Sequence, residues 1–239
     1  ADLGFEAAVA GGVPALKTLR EGLSANRARR VSGILNGTCN FILTEMRRTG
    51  RGFDEALRDA QEAGYAEADP TFDVEGIDAA HKLSLLAALA FGLTPDFDGV
   101  EVAWIRSVDA IDMHYAEEFG YRVKLLGVAE LEAGADGPVL RQRVGPCFAP
   151  ADSPMGAVEG VTNAVAVEAD LIGRVQCDGP GAGGDATASA VVADIADIAA
   201  GRAAAPFGAP AGRLARARRA EPETLRRAFY ARLLVRDEP

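Results

Sequence analysis

The stretch Tyr121-Arg122-Val123-Lys124-Leu125-Leu126-Gly127-Val128-Ala129-Glu130-Leu131 decides the architecture. It reads as a strand within 120–133 and opens a strand-rich half, with further strands expected near 138–145, 161–169 and 171–177. Upstream, helices are expected near 13–24, 38–48, 53–63 and 74–92, with strands near 5–10 and 28–36. One more helix is expected near 184–200. Helices and strands therefore partly segregate, which predicts an α/β fold of the α+β type: a mixed β-sheet covered by helices on one face.

At 239 residues and 49% hydrophobic content the chain can fill a sizeable core. Its net charge of −10 argues against general nucleic-acid or membrane-surface binding. The three cysteines, Cys39, Cys147 and Cys177, are isolated and show no zinc-type spacing, which fits reduced thiols in the cytoplasm. No apolar run reaches the length of a membrane span, and nothing resembles a signal peptide.

The chain opens on Ala1-Asp2-Leu3-Gly4 without an initiator Met and ends in the alternating run Phe229–Val235. It reads as an internal piece of a longer protein. Three segments are expected: a main domain over 1–205, a linker and helix over 206–228, and over 229–239 the first strand of a further domain. The arginines Arg213, Arg216, Arg218, Arg219, Arg226 and Arg227 read as a solvated helix, since the chain is acidic and offers few aromatics beside them.

Lys82 stands out chemically. It lies in the apolar helical pattern Gly76-Ile77-Asp78-Ala79-Ala80-His81-Lys82-Leu83-Ser84-Leu85-Leu86, in a chain with only three lysines. Asp78, four residues earlier, shares its helix face. A lysine held by a carboxylate can donate a proton, whereas a guanidinium cannot be tuned to do so. The same spacing also fits a plain surface ion pair. Gly64–Gly76 reads as a loop, and nine acidic residues fall between Asp54 and Asp78. Glu67, Asp73 and Asp78 could grip a small substrate carrying an ammonium group, or merely solvate the surface.

Three glycine turns complete the candidates. Gly179-Pro180-Gly181-Ala182-Gly183-Gly184 matches G-x-G-x-x-G between a strand and a helix, a context that suits phosphate or simple packing. The acidic strand end required some 20 residues later is missing, so no complete dinucleotide fold opens here. Asn36-Gly37-Thr38-Cys39-Asn40 starts a helix, where Gly37 and Thr38 could meet a carboxylate or simply cap it. Gly11-Gly12 turns into the helix that begins near Pro14.

Four segments in this order are similar to homoserine dehydrogenase. They are Phe5–Pro14, Gly33–Leu43, Gly64–Pro70 continued through Asp78–Lys82, and Gly179–Gly184 with Thr187-Ala188. The resemblance covers residues 5–200. It implies an enzyme that interconverts homoserine and aspartate semialdehyde with NAD(P), within threonine, methionine and isoleucine biosynthesis. It implies Lys82 as proton donor and Asp78 as its orienting carboxylate. Glu67 would hold the substrate amine with Asp73 near it, and Gly37, Thr38 and Tyr65 would touch substrate. Gly181 and Gly183 would meet the nicotinamide cofactor. Glu6, Val9, Gly11 and Val13 would form a loop for a monovalent cation, Na+ or K+, mainly through backbone oxygens. The resemblance also implies a homodimer. The family's N-terminal dinucleotide-binding domain is not in this sequence, so these residues by themselves are expected to be inactive. The rival reading is a non-catalytic dimerisation module.

Overall fold

The computed structural model describes residues 2–202, 204–221, 228–233 and 235. Among the described residues seven strands form one mixed sheet: β1 Ala28–Ile34, β2 Val100–Val102, β3 Tyr121–Gly134, β4 Gly137–Pro150, β5 Thr162–Ala169, β6 Gly173–Pro180 and β7 Arg218–Arg219. The order across it is β2-β4-β3-β1-β5-β6, and β7 also joins β4. The pairs among β4, β3, β1, β5 and β6 are antiparallel, whereas β2 and β7 run parallel to β4. The helices are α1 Ala15–Lys17, continued by a π turn Thr18–Gly22, then α2 Gly37–Thr49, α3 Phe53–Glu62, α4 Thr71–Val74, α5 Ile77–Phe91, α6 Ala110–Glu118 and α7 Gly184–Ala199.

Strand periodicity explains the layering, because alternate side chains face opposite sides of a sheet. Val31, Val123, Leu125, Ala129, Val165 and Val167 join Ile42, Leu43, Leu83 and Leu86 of α2 and α5 in the main core. On the reverse face Ile34, Leu126, Val128, Ala164 and Ala166 pack under Met155 and Val158 of the connection before β5. Helices thus cover one face as expected, and an irregular segment covers part of the other. The remainder of that reverse face is polar, with Arg30 set between Glu130 and Glu168.

Several boundaries differ from the sequence reading. Residues 5–10 form a short 3-10 turn, Glu6–Ala8, rather than a strand. Val9 and Ala10 are apolar because they are fully buried where the chain reverses, with Ala10 and Gly11 both at positive φ. The helix expected over 74–92 is split at Gly76 (φ 77), and α4 lies inside the expected loop. A side chain at Gly76 would press on Val102 and Val144, so the break seats α5 against the sheet edge. Helix α6 went unforeseen, although Asp109 and Asp112 form a capping box at its start.

The arginine cluster is corrected too. Arg218 and Arg219 pair along β4 instead of forming a solvated helix, Arg219 reaching both oxygens of Asp96 at 2.6 and 2.8 Å. Arg226 and Arg227 lie outside the described residues. Among the described part of 229–239 no strand forms. Tyr230 instead stacks on Phe148 and donates to Asp112 (2.8 Å), so its ring serves packing rather than a sheet edge.

Candidate functional site

Strands β1 and β6 are both antiparallel to β5, so they run parallel to each other one strand apart. Their C-terminal ends therefore emerge at the same end of the sheet, about 10 Å apart at ordinary strand spacing. Each feeds a helix, β1 into α2 and β6 into α7, so two helix N-termini with unsatisfied amides face one region.

Asn163, near the start of the intervening β5, sits between them and is only 2% exposed. A methyl on Gly37 would fall 2.6 Å from the Val161 carbonyl and 3.2 Å from Asn163 Oδ1. One on Gly181 would overlap the Asn163 carboxamide, and one on Gly11 would overlap the Gly181 carbonyl. The three glycine turns noted in the sequence thus pack into one junction, joined further by Gly12 N–H donating to the Pro180 carbonyl at 3.0 Å. Gly181 is occupied by this packing. Gly183 is open: its φ of 109 turns the chain into α7 and leaves empty space where a side chain would stand.

Beside this junction lies the charged cluster. Lys82 donates to Asp78 Oδ2 at 2.7 Å and to the Leu35 carbonyl at 3.1 Å. Both side chains are about one-fifth exposed, which removes this pair from the class of fully solvated surface bridges. The Asn36 Nδ2 group donates to Asp73 Oδ1 (2.8 Å) and to Asp78 Oδ2 (3.0 Å). Asn36 Oδ1 accepts from Cys39 N–H at 2.8 Å and so caps α2. Burial pushes the Asp73 carboxyl above its ordinary value; the Asn36 hydrogen bond opposes this and the charge of Asp78 adds to it. Thr38 donates to the Tyr65 carbonyl at 2.7 Å, and the Tyr65 ring meets Phe41 edge-on, centroids 5.0 Å apart. Glu67 is exposed on the same loop and contributes to raising Asp73. Cys39 is fully buried, and burial drives its thiol upward, away from nucleophilic use.

Lys82, Asp78, Asp73, Gly37, Thr38 and the Tyr65 carbonyl therefore lie together around the start of α2. Glu6 does something different with its carboxylate. It is buried, and its two oxygens accept Leu16 N–H and Lys17 N–H at 2.9 Å each, closing the start of α1. Asn36 and Asn163 escaped the sequence reading. Asn36 carried the signal of a helix cap and nothing more. Asn163 carried a weak one, a lone amide in the apolar strand Thr162–Ala169.

This constellation can be compared with known proteins. The family model for homoserine dehydrogenase matches residues 14–196. The chain belongs to the homoserine dehydrogenase family. It is 53% identical over 195 residues to a homoserine dehydrogenase of Neisseria gonorrhoeae, covering 82% of this chain and 44% of that protein. It is 42% identical over 236 residues to one of Helicobacter pylori, covering 99% of this chain and 55% of that protein. The crystal structure of a homoserine dehydrogenase from Thiobacillus denitrificans superposes with a TM-score of 0.84 at 47% identity, covering 92% of this chain and 52% of that one. A hyperthermophilic archaeal homoserine dehydrogenase in complex with NADPH superposes with a TM-score of 0.67 at 32% identity, over 82% of this chain and 55% of that one. The chain spans about half the length of the homoserine dehydrogenases it matches. Among the described residues no helix is long and apolar enough to cross a membrane.

Proposed function

We propose that this chain carries the substrate-handling half of an NAD(P)-dependent homoserine dehydrogenase, interconverting L-homoserine and L-aspartate 4-semialdehyde. The observation that carries the reading is the Lys82 ammonium fixed between Asp78 and the Leu35 carbonyl, beside the N-terminus of α2. A bound nicotinamide would supply or accept the hydride at the carbonyl carbon. In the reducing direction, Lys82 Nζ gives one proton to the oxygen on which negative charge develops, and Asp78 keeps that nitrogen aimed. The substrate ammonium goes to the acidic side, to Glu67 with Asp73. Its carboxylate goes to the α2 N-terminus at Gly37 and Thr38, where free amides favour an anion. Tyr65 closes the side, its carbonyl holding the Thr38 hydroxyl.

The open N-terminus of α7 at Gly183 suits the cofactor end of the site, whereas Gly181 serves by holding that turn on Asn163. The NADPH bound to the archaeal relative supports the cofactor class. A monovalent cation at Glu6, Val9, Gly11 and Val13 would have to use backbone oxygens, because the Glu6 carboxylate is spent on α1. Among the described residues no cluster of three or more His, Cys, Asp or Glu is suited to a metal ion. We further infer a homodimer formed through the polar reverse face of the sheet, and a cytoplasmic setting that suits three unpaired thiols. The pathway role in threonine, methionine and isoleucine synthesis follows from the reaction.

The test is Lys82→Ala in the full-length protein. Turnover of homoserine should fall at least about 100-fold, and Lys82→Arg should not restore it, since a guanidinium holds its proton. Near-normal kcat in the alanine variant would overturn the assignment.

A further inference from the structure

The Asn36 carboxamide makes three hydrogen bonds and directs both of its N–H donors to the two acids. Its oxygen accepts Cys39 N–H, and its nitrogen reaches Asp73 Oδ1 and Asp78 Oδ2. The residue is 6% exposed, so water does not compete for these bonds. Asp78 Oδ2 is also the atom that accepts from Lys82. The second anchor of Lys82 is the carbonyl of Leu35, the residue next to Asn36. The lysine is thus located twice from the junction of β1 and α2, once through the Leu35 backbone and once through Asn36 and Asp78.

We propose that Asn36 is a positioning residue whose amide group bridges Asp73 and Asp78, holding Asp78 on Lys82 and leaving Asp73 free to face the substrate ammonium. The inference rests on the reading of Lys82 as proton donor and adds to it the group that sets the donor's position.

The chemistry leaves few substitutes for an asparagine here. Two carboxylates this close repel, and the pair lowers its energy either by binding a proton or by sharing a donor. A proton between Asp73 and Asp78 would draw the Asp78 oxygen away from Lys82. A primary amide offers one hydrogen to each carboxylate and needs no titratable charge. An aspartate at 36 could cap α2 but would bring a third carboxylate. A serine could cap but is too short to reach both acids. The other groups facing this cluster are Lys82 on α5, Glu67 on the preceding loop, and the Cys39 thiol, which donates to the Asp73 carbonyl at 3.3 Å. Among these only Lys82 is cationic, and it is engaged with Asp78.

Because both Asp and Ser serve as helix caps, Asn36→Asp and Asn36→Ser separate the cap from the bridge. Both are made in the full-length protein and examined for turnover of homoserine across pH, for KM of the nicotinamide cofactor, and for the Asp73 titration by carboxyl-carbon NMR. Each variant should lower kcat by between about 10- and 100-fold, the scale of a misplaced catalytic group, with the cofactor KM unchanged. The Asp73 titration and the acid limb of kcat/KM should both move to higher pH. Wild-type kcat and an unmoved Asp73 titration in Asn36→Ser would reduce Asn36 to a cap and overturn the proposal. The NMR arm does not depend on the reaction. An Asp73 titration that moves, in a protein that never turns over homoserine, upholds the bridge and defeats the proposed reaction instead.

Discussion

Lys124 sits on the reverse face of β3 with 2% exposure, its ammonium bonded to the Val158 carbonyl and, at 3.2 Å, to Asn40 Oδ1. Burial holds its pKa down at about 8 against an ordinary 10.5; Glu159 partly offsets this, while Arg122 and Arg47 reinforce it. At about 1.4 kcal/mol per pH unit, that difference corresponds to about 3 to 4 kcal/mol of penalty for keeping the group charged in the fold. The sign follows from proton counting. Below about pH 8 both folded and unfolded states hold the proton, and the penalty is present in full. Between about 8 and 10.5 the folded state releases it while the unfolded state keeps it, so stability rises with pH. Lys124→Met removes the titration and leaves the other groups in place. Urea unfolding of both proteins, stepped from neutral pH to about pH 10, isolates the effect as a difference. Wild type should gain about 2 to 3 kcal/mol on the variant over that interval, whatever the offset at neutral pH from the lost hydrogen bonds. A flat difference would refute the reasoning and mean that water or Glu159 already satisfies the charge.

Two further outcomes can be checked alongside. Gly181→Ala should cost about 1 to 3 kcal/mol by overpacking against buried Asn163, and should raise the cofactor KM by displacing the turn that carries Gly183; thermal melts and steady-state kinetics report the two effects separately. Asp73→Asn should stabilise the protein while impairing turnover. A buried carboxyl pushed upward favours the protonated form, so its contribution is complete at low pH and lost as pH rises through the folded value. At neutral pH an amide at 73 removes that cost and still accepts from Asn36, so an unchanged or lowered melting temperature would contradict the assignment.

What the sequence disclosed and what it hid follows from how local each feature is. The Asp78–Lys82 pair was legible because spacing of four on one helix is fixed by helix geometry alone. The same local logic sorts the acidic run from Asp54 to Asp78. Asp54 and Glu55 occupy the first turn of α3, Asp59 pairs with Arg51, and Asp69 accepts from the Thr71 hydroxyl and N–H. Only Asp73 and Asp78 turn inward onto Asn36. No spacing rule selects those two, because the selector is an amide on a different element. The strand expected over 5–10 failed for a related reason. Burial of Val9 and Ala10 at a reversal imitates the apolar content of a strand without its pairing. Helix α7 matches its expected extent, yet Val192 and Ile195 remain about 60% exposed, so its apolar period reports a face that none of the described residues covers.

The literal G-x-G-x-x-G run shows most plainly why a motif needs its tertiary setting. Taken alone it offered two meanings, phosphate contact or packing, and the structure divides its glycines between them. Gly181 has no room for a side chain because Asn163 fills the space, while Gly183 faces open solvent at a helix N-terminus. The division depends on β5 lying between β1 and β6, although β5 begins more than a hundred residues after β1 ends in the chain. That insertion sets β1 and β6 in the same direction and brings the starts of α2 and α7 to one end of the sheet. Two helix N-termini then flank Asn163, one beside Lys82 and the other open at Gly183. The proposed reaction needs a hydride donor beside its acceptor, and strand order rather than any single motif is what brings these two helix N-termini together.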